Sequence, residues 1–244
     1  MDWKPRPQII PEETWHQLRR VSTATLTHQL ARLGFRRTYL PNLRPTRPDM
    51  RLVGYAYTLR MIPIREDLIP LMSVYQSNLQ RVAIESAGDE DVLVIDARGE
   101  VNLGATLGLI LATRLRTRGA HGIVTDGAIR DSPEFAQLDL PVYMLSPHAS
   151  ASDQAHFPAE LQVPIACAGV SVFPGDIVVG DAEGVVVIPF QVAEEVAHNA
   201  LDQELLEQFI LEKVQQGASI HGLYPAEAEA RFEFERWRRE RQFE

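Results

Sequence analysis

The sequence predicts an α/β domain followed by a C-terminal helical extension, and three patterns carry that expectation. Short apolar runs at 52–61, 92–95, 123–125 and 141–144 alternate with helical-period segments, as strands joined by helices do. Between 163 and 189, three valine-rich runs stand so close together, with turn residues between them, that they read as a small antiparallel meander. An apolar-striped helix at 191–216 and a charged, aromatic tail close the chain. The expected division is an N-terminal arm and helix over 1–20, an α/β domain over 21–217, and a helical tail over 218–244.

Residues 1–11 carry three prolines and read as an extended arm, suited to lying on a neighbouring subunit. Pro11 with Glu12 and Glu13 opens a helix, because proline fits the first turn and acids favour the positive helix end. Ser22 and Thr23 are N-caps for a second helix that Gly34 stops. After a proline-rich connection comes the strand at 52–61, closed by Pro63. Residues 66–86 have helical spacing, and 92–95 is a fully apolar strand. A glycine-punctuated loop over 102–108 leads into a helix ending near Arg118. Pro133 and Glu134 start a short helix. Residues 146–157 are polar and read as a surface loop. Gly217 ends the long helix.

Composition removes several classes of function. A formal net charge of -9 is a poor match to a phosphate backbone, so nucleic acid is not an expected partner. No run approaches the ~18 apolar residues of a membrane span, and 1–11 lacks the apolar core of a signal peptide; a cytoplasmic protein without membrane contact is expected. Cys167 is the single cysteine and sits in an apolar run, where it reads as a packed thiol. The histidines show no metal-ligand spacing, and Asp176, Asp181 and Glu183 read as turn formers.

The stretch 119–135 stands apart. It places Asp126, Arg130 and Asp131 just past an apolar strand, at the carboxyl end where open α/β sheets bind ligands. Arg130 offers a bidentate clamp for a carboxylate, and Asp131 a hard oxygen ligand for a divalent metal. Asp126 reads as a turn acid behind the pair. The bland alternative is a helix-capping ion pair. A second element is the loop 104–108 opening onto the helix at Leu109, whose free N–H groups suit an anion or an enolate oxygen. Tight helix–sheet packing would equally call for those glycines. The loop lacks a P-loop lysine and a full dinucleotide fingerprint.

These blocks carry a resemblance. G-I-V-T-D-G-A-I-R-D at 122–131 and V-F-P-G-D-I-V-V-G-D-A-E-G-V-V-V-I-P at 172–189 are joined by V-S-T-A-T-L-T-H-Q-L at 21–30 and R-L-V-G-Y-A-Y-T at 51–58. Together they resemble the RraA-like family, which holds regulator of ribonuclease activity A and the class II 4-hydroxy-4-methyl-2-oxoglutarate/4-carboxy-4-hydroxy-2-oxoadipate aldolases. The match covers roughly residues 20–217. The resemblance implies a β/β/α swivelling-type fold, a homotrimer or homohexamer with sites between subunits, and cleavage of a 4-hydroxy-2-oxo acid to pyruvate with Mg²⁺ or Mn²⁺. Decarboxylation of oxaloacetate often accompanies that activity. By position, Arg130 would hold the pyruvoyl group and Asp131 the metal. Gly108 and the N–H groups of Ile110 and Leu111 would face the enolate. Glu207 of a neighbouring subunit, ahead of Glu204, would hold a metal-bound water.

The sequence departs from the family at one point. Aldolase members carry an acid just after the glycine at the helix start, and here that position is Leu109. Asp96, Arg98, Asn102 and Thr106 are the residues nearby in sequence that could substitute; otherwise the chemistry differs or activity is low. The ribonuclease-inhibiting members lose the metal-binding aspartate that this chain keeps as Asp131. A non-catalytic regulator that binds a ribonuclease or another protein, with the tail as a docking element, is the competing expectation; for the tail itself, packing on its own oligomer is the favoured reading.

Overall fold

The computed structural model describes residues 9–72 and 78–241. Most of the proline-rich arm lies outside them, but its end docks on the chain itself. Ile10 is buried, and its N–H donates to the Tyr55 hydroxyl at 2.9 Å. Helix α1 (Glu12–Leu18) starts behind Pro11, and α2 (Thr23–Arg32) starts at Ser22, whose hydroxyl accepts the Thr25 N–H at 3.1 Å. Two short strands, β1 (Tyr39–Leu40) and β2 (Arg44–Pro45), precede the spine of the molecule, β3 (Leu52–Pro63).

The helical period expected over 66–86 appears as α3 (Ile69–Met72) and α4 (Leu79–Ser86), with residues 73–77 outside the described set. Then follow β4 (Asp91–Asp96), β5 (Ala105–Leu107), α5 (Leu109–Thr117), β6 (Gly122–Thr125), β7 (Ala128–Ile129) and α6 (Ser132–Phe135). The second half holds β8 (Val142–Met144), β9 (Ser146–Pro147), β10 (His156–Leu161), β11 (Ile165–Cys167), β12 (Val170–Val172), β13 (Ile177–Asp181) and β14 (Gly184–Ile188). Helices α7 (Ala193–Gln215) and α8 (Ala228–Glu240) complete the chain.

The main sheet runs β1-β14-β13-β3-β4-β6-β8-β2, with β3, β4, β6 and β8 parallel. Strand β3 is long enough to serve two partners on one edge: its first residues pair with β13 and its last with β10, both antiparallel. Side chains alternate between faces with the pleat. Leu93, Ile95, Leu59 and Met61 pack against α4 and α5, whereas Val92, Val94 and Ala56 pack beneath the β11–β12 hairpin. Beside the first of these layers, Val53, Tyr55, Ile177 and Val179 meet α1, α2 and α7. Both faces being covered, the central strands are apolar throughout.

Three expectations change. The 163–189 meander is two separate hairpins, since β11–β12 form their own sheet while β13–β14 join the main one through β3. The polar segment 146–157 is no free loop: β9 pairs with β7, and β10 adds to β3 from His156 onward. The loop 102–108 and the turn after Asp126 each contain a strand, β5 and β7, that pair in parallel. The tail's helix α8 packs on the chain's own α7 through Phe209, Phe234 and Trp237. Lys213–Glu233 at 2.6 Å and Arg241–Glu212 at 2.8 Å tie its rim.

Asp176 does more than form its turn. It is 8% exposed and accepts the Phe173 N–H at 2.9 Å, and burial pushes its carboxyl up to about 6. A carboxyl with a raised folded pKa contributes stability below its unfolded value, and that contribution is lost as pH rises through the folded one. The rise from 3.8 to about 6 corresponds to at most ~3 kcal/mol. Asp176→Asn is therefore expected to raise the melting temperature at pH 7.5 and to give no gain at pH 4. Thermal melts at the two pH values check this, and equal shifts at both would rule it out.

Candidate functional site

The site is built where β6 ends. Asp126, 3% exposed, accepts the N–H groups of Ala97 at 2.6 Å, Gly99 at 3.2 Å and Ala168 at 3.1 Å. Burial raises its carboxyl pKa against the pull of these donors. Its role is to tie the ends of β4 and β6 to the turn after β11. Strand β7 then runs beside β5, and the Arg130 N–H donates to the Leu107 carbonyl at 3.0 Å. That pairing carries Arg130 and Asp131 to the start of α5.

Asp131 has φ 59° and ψ 31°, a left-handed conformation that aspartate tolerates better than most side chains. It precedes α6, yet its side chain does not cap that helix. Its Oδ2 instead accepts the Leu109 N–H at 3.1 Å, capping α5, because Gly108 has no side chain to do so. Arg130 Nε lies 3.4 Å from Asp131 Oδ1. The Ile110 and Leu111 N–H groups have no acceptor among the described residues, so the positive end of α5 is open.

These groups face a cavity of about 500 Å³. Its apolar lining is Ile69, Met72, Leu107, Ile110 and Leu111; its polar lining includes Asn78, Gln80, Arg81, Ser152 and Asp153. Arg130, Asp131, Gly108, Ile110 and Leu111, all expected from sequence, come together there. Glu207 does not. It lies on α7 in a separate groove with Arg20 and Gln208, and its Oε1 accepts from Gln203 Nε2 at 2.7 Å. Glu204 is committed elsewhere, accepting the Ser22 N–H at 2.8 Å. Among the described residues, no three His, Cys, Asp or Glu side chains cluster as a metal site.

The four residues that could replace an acid at position 109 all lie off the cavity. Asp96 accepts the Arg98 N–H at 3.0 Å, and Thr106 is fully buried, its hydroxyl donating to the Ala128 carbonyl at 2.9 Å. The Arg98 guanidinium sits 3.2 Å from His156 Nδ1, and the Asn102 carbonyl 3.1 Å from His148 Nε2. Cys167 is the packed thiol expected; it is fully buried, and burial raises its pKa strongly.

Sequence reasoning missed Asn78, Gln80, Arg81 and Asp153. Asn78 did carry a signal. Its side chain caps α4, accepting the Arg81 N–H at 3.3 Å, and asparagine at a helix start could have divided 66–86. Gln80 is buried and donates to the Thr106 carbonyl, fixing α4 to β5. Asp153 sits in a polar stretch with no periodicity to mark it.

A family profile described as RraA-like, Aldolase/RraA, matches residues 23–187. A protein of Halalkalibacterium halodurans named "Putative 4-hydroxy-4-methyl-2-oxoglutarate aldolase" is 33% identical over 176 residues, covering 70% of this chain and 78% of that one. The crystal structure of Streptomyces coelicolor RraAS2, described as an unusual member of the RNase ES inhibitor RraA protein family, superposes with a TM-score of 0.72 at 35% identity, over 84% of this chain and 98% of that one. A Pseudomonas syringae protein superposes with a TM-score of 0.77 at 24% identity, over 89% of this chain and 99% of that one, a likeness of fold. Among the described residues, no helix is long and apolar enough to cross a membrane.

Proposed function

The chain belongs to the RraA-like family, and from that premise we propose that it is a divalent-metal-dependent carbon–carbon lyase that cleaves a 4-hydroxy-2-oxo acid to pyruvate. The observation supporting this most is the convergence of Arg130, Asp131 and the open N–H groups of Ile110 and Leu111 on one cavity. In this reading Arg130 grips the substrate carboxylate with its planar fork. The two N–H groups donate to the 2-oxo oxygen as negative charge gathers there during C3–C4 cleavage. Met72, Leu107 and Leu111 keep water from the reacting carbons. Decarboxylation of oxaloacetate would use the same groups.

Asp131 fits a hard cation. Its side chain is 36% exposed, and each oxygen keeps a lone pair beyond its contact with Leu109 or Arg130. Mg²⁺ or Mn²⁺ bound through one carboxylate and waters matches that donor set. When bound, the cation supplies further positive charge beside the 2-oxo group. Glu207 of a neighbouring copy, in the homotrimer or homohexamer we infer, would hold a water of that cation. No lysine is required: Lys4 and Lys213 are the only two in the sequence, and Lys213 is paired with Glu233.

The test is pyruvate release from a panel of 4-hydroxy-2-oxo acids, including 4-hydroxy-4-methyl-2-oxoglutarate, after EDTA treatment and with Mg²⁺ or Mn²⁺ restored. Metal-stimulated turnover lost in Asp131→Ala is expected. An absence of metal-stimulated turnover, with Asp131→Ala indistinguishable from the parent, would overturn the reading and leave a protein-binding regulator. Arg81, a second cation lining the cavity, makes no ion pair among the described residues. Arg81→Ala is expected to raise KM for substrates with a second carboxylate about tenfold, equivalent to ~1.4 kcal/mol of binding, with kcat little changed. Steady-state kinetics on mono- and dicarboxylate substrates check it; identical KM values for the variant and the parent would count against it.

A further inference from the structure

Aldol cleavage needs a base for the 4-hydroxyl proton, and Leu109 cannot serve. Among the described residues, Asp131 and Asp153 are the two carboxylates lining the cavity. Asp131 is engaged by the Leu109 N–H and by Arg130. Asp153 is exposed and makes no hydrogen bond or ion pair among the described residues.

The wall that carries Asp153 is held firmly. The Ala105 N–H donates to the Ser150 carbonyl at 3.0 Å, and the His148 N–H donates to the Ile129 carbonyl at 2.8 Å. His148 Nδ1 accepts the Ser150 N–H at 3.1 Å. His156, fully buried, sits between Arg98 and the Gly104 carbonyl, with its ring nitrogens 3.2 Å from each. At Gly104 a Cβ would lie 2.5 Å from the Ala151 carbonyl oxygen, so the wall approaches β5 as closely as backbone allows. Strand β5 runs directly into Gly108 and the start of α5. The segment on either side of Asp153 is thereby held against the same strand that leads into the enolate-facing N–H groups.

We propose that Asp153 is the general base of the lyase, taking the role that Leu109 cannot; this rests on the lyase reading of the site. Asp153 accepts the proton of the 4-hydroxyl as the C3–C4 bond breaks and C4 becomes a carbonyl. The bonding pair moves onto C3 and the 2-oxo oxygen as an enolate. C3 then takes a proton from water, giving the pyruvate methyl group, and the resulting hydroxide is neutralised by the proton that Asp153 returns to solvent. Oxaloacetate decarboxylation forms the same enolate by losing CO₂ and has no hydroxyl proton to remove. Asp153 is therefore needed for one reaction and dispensable for the other.

Asp153→Asn and Asp153→Glu, assayed with Mg²⁺ on the 4-hydroxy-2-oxo acid cleaved fastest and on oxaloacetate, separate the two. For Asp153→Asn, kcat for aldol cleavage is expected to fall about 10²-fold or more, with KM within about threefold. Decarboxylation is expected to stay near the parent rate, and Asp153→Glu to recover part of the cleavage. Cleavage unchanged in Asp153→Asn, or both reactions falling together, overturns the proposal. Arg130→Ala in the same assays tests the underlying lyase reading separately, because it removes the group both reactions share.

Discussion

Arg130→Ala is expected to lower kcat/KM for pyruvate release by about 10³-fold. A charge-assisted, forked hydrogen bond to a carboxylate is worth roughly 1.5–3 kcal/mol. Electrostatic stabilisation of a developing oxyanion adds about 2.7–4 kcal/mol per donor removed. Because Arg130 sits between carboxylate binding and enolate formation, losing part of each amounts to ~4 kcal/mol, or about three decades in rate. Arg130→Lys should restore little, since an ammonium is a point charge without the planar fork. The fold should barely notice. The Arg130 side chain is 43% exposed, and its one ion pair among the described residues, with Asp131, is long at 3.4 Å. An exposed pair of that kind contributes ~0–1 kcal/mol, so the melting temperature should move by no more than about 4 °C. Kinetics and a thermal melt on the same sample decide it. A variant that keeps parent kcat/KM, or that loses activity only by unfolding, removes Arg130 from the chemistry.

The contrast between what was legible in the sequence and what was not follows from chain distance. Strands β3, β4, β6 and β14 are written as apolar runs, and α2 and α7 are bounded by Ser22, Gly34 and Gly217, residues with a mechanism for starting or stopping a helix. Strands β5, β7 and β9 have two or three residues each and exist because β7 pairs with the other two across 18 to 23 positions of sequence. No local period marks such strands. The site divides in the same way. Arg130 and Asp131 follow an apolar strand and a glycine turn, so their placement could be read. Arg81 and Asp153 enter the cavity from the start of α4 and from the wall between β9 and β10, brought there by Gln80 bonding to β5 and by His148 and His156. Asp126 was readable as a turn acid behind the pair, but its partners, the N–H groups of Ala97, Gly99 and Ala168, come from distant parts of the chain. Glu207 stays apart from the cavity within one chain, in a separate groove on α7.

Gly108→Ala tests whether the placement of the pair, beyond its identity, sets activity. Gly108 has φ -128°, a conformation open to any residue, so alanine meets no backbone penalty there. The conflict is with the pair itself. A Cβ would lie 2.6 Å from Asp131 Oδ2, 2.8 Å from Arg130 Cγ and 3.1 Å from Arg130 Cδ. One or both side chains must move, and the Leu109 N–H loses the acceptor that caps α5. A lost cap costs about 1 kcal/mol, which in a chain of this size lowers the melting temperature by roughly 2–4 °C. The activity should suffer far more, because a displacement near 1 Å at a positioned group costs about 10²-fold in rate. Gly34→Ala is the matched control. No atom stands within 4 Å of a Cβ there, but φ is +92°, so alanine is strained and far from the cavity. That variant should lose ~1 kcal/mol of stability and keep its kcat/KM. If Gly108→Ala loses no more activity than Gly34→Ala at comparable stability, the close fit of Arg130 and Asp131 against the start of α5 serves helix capping alone.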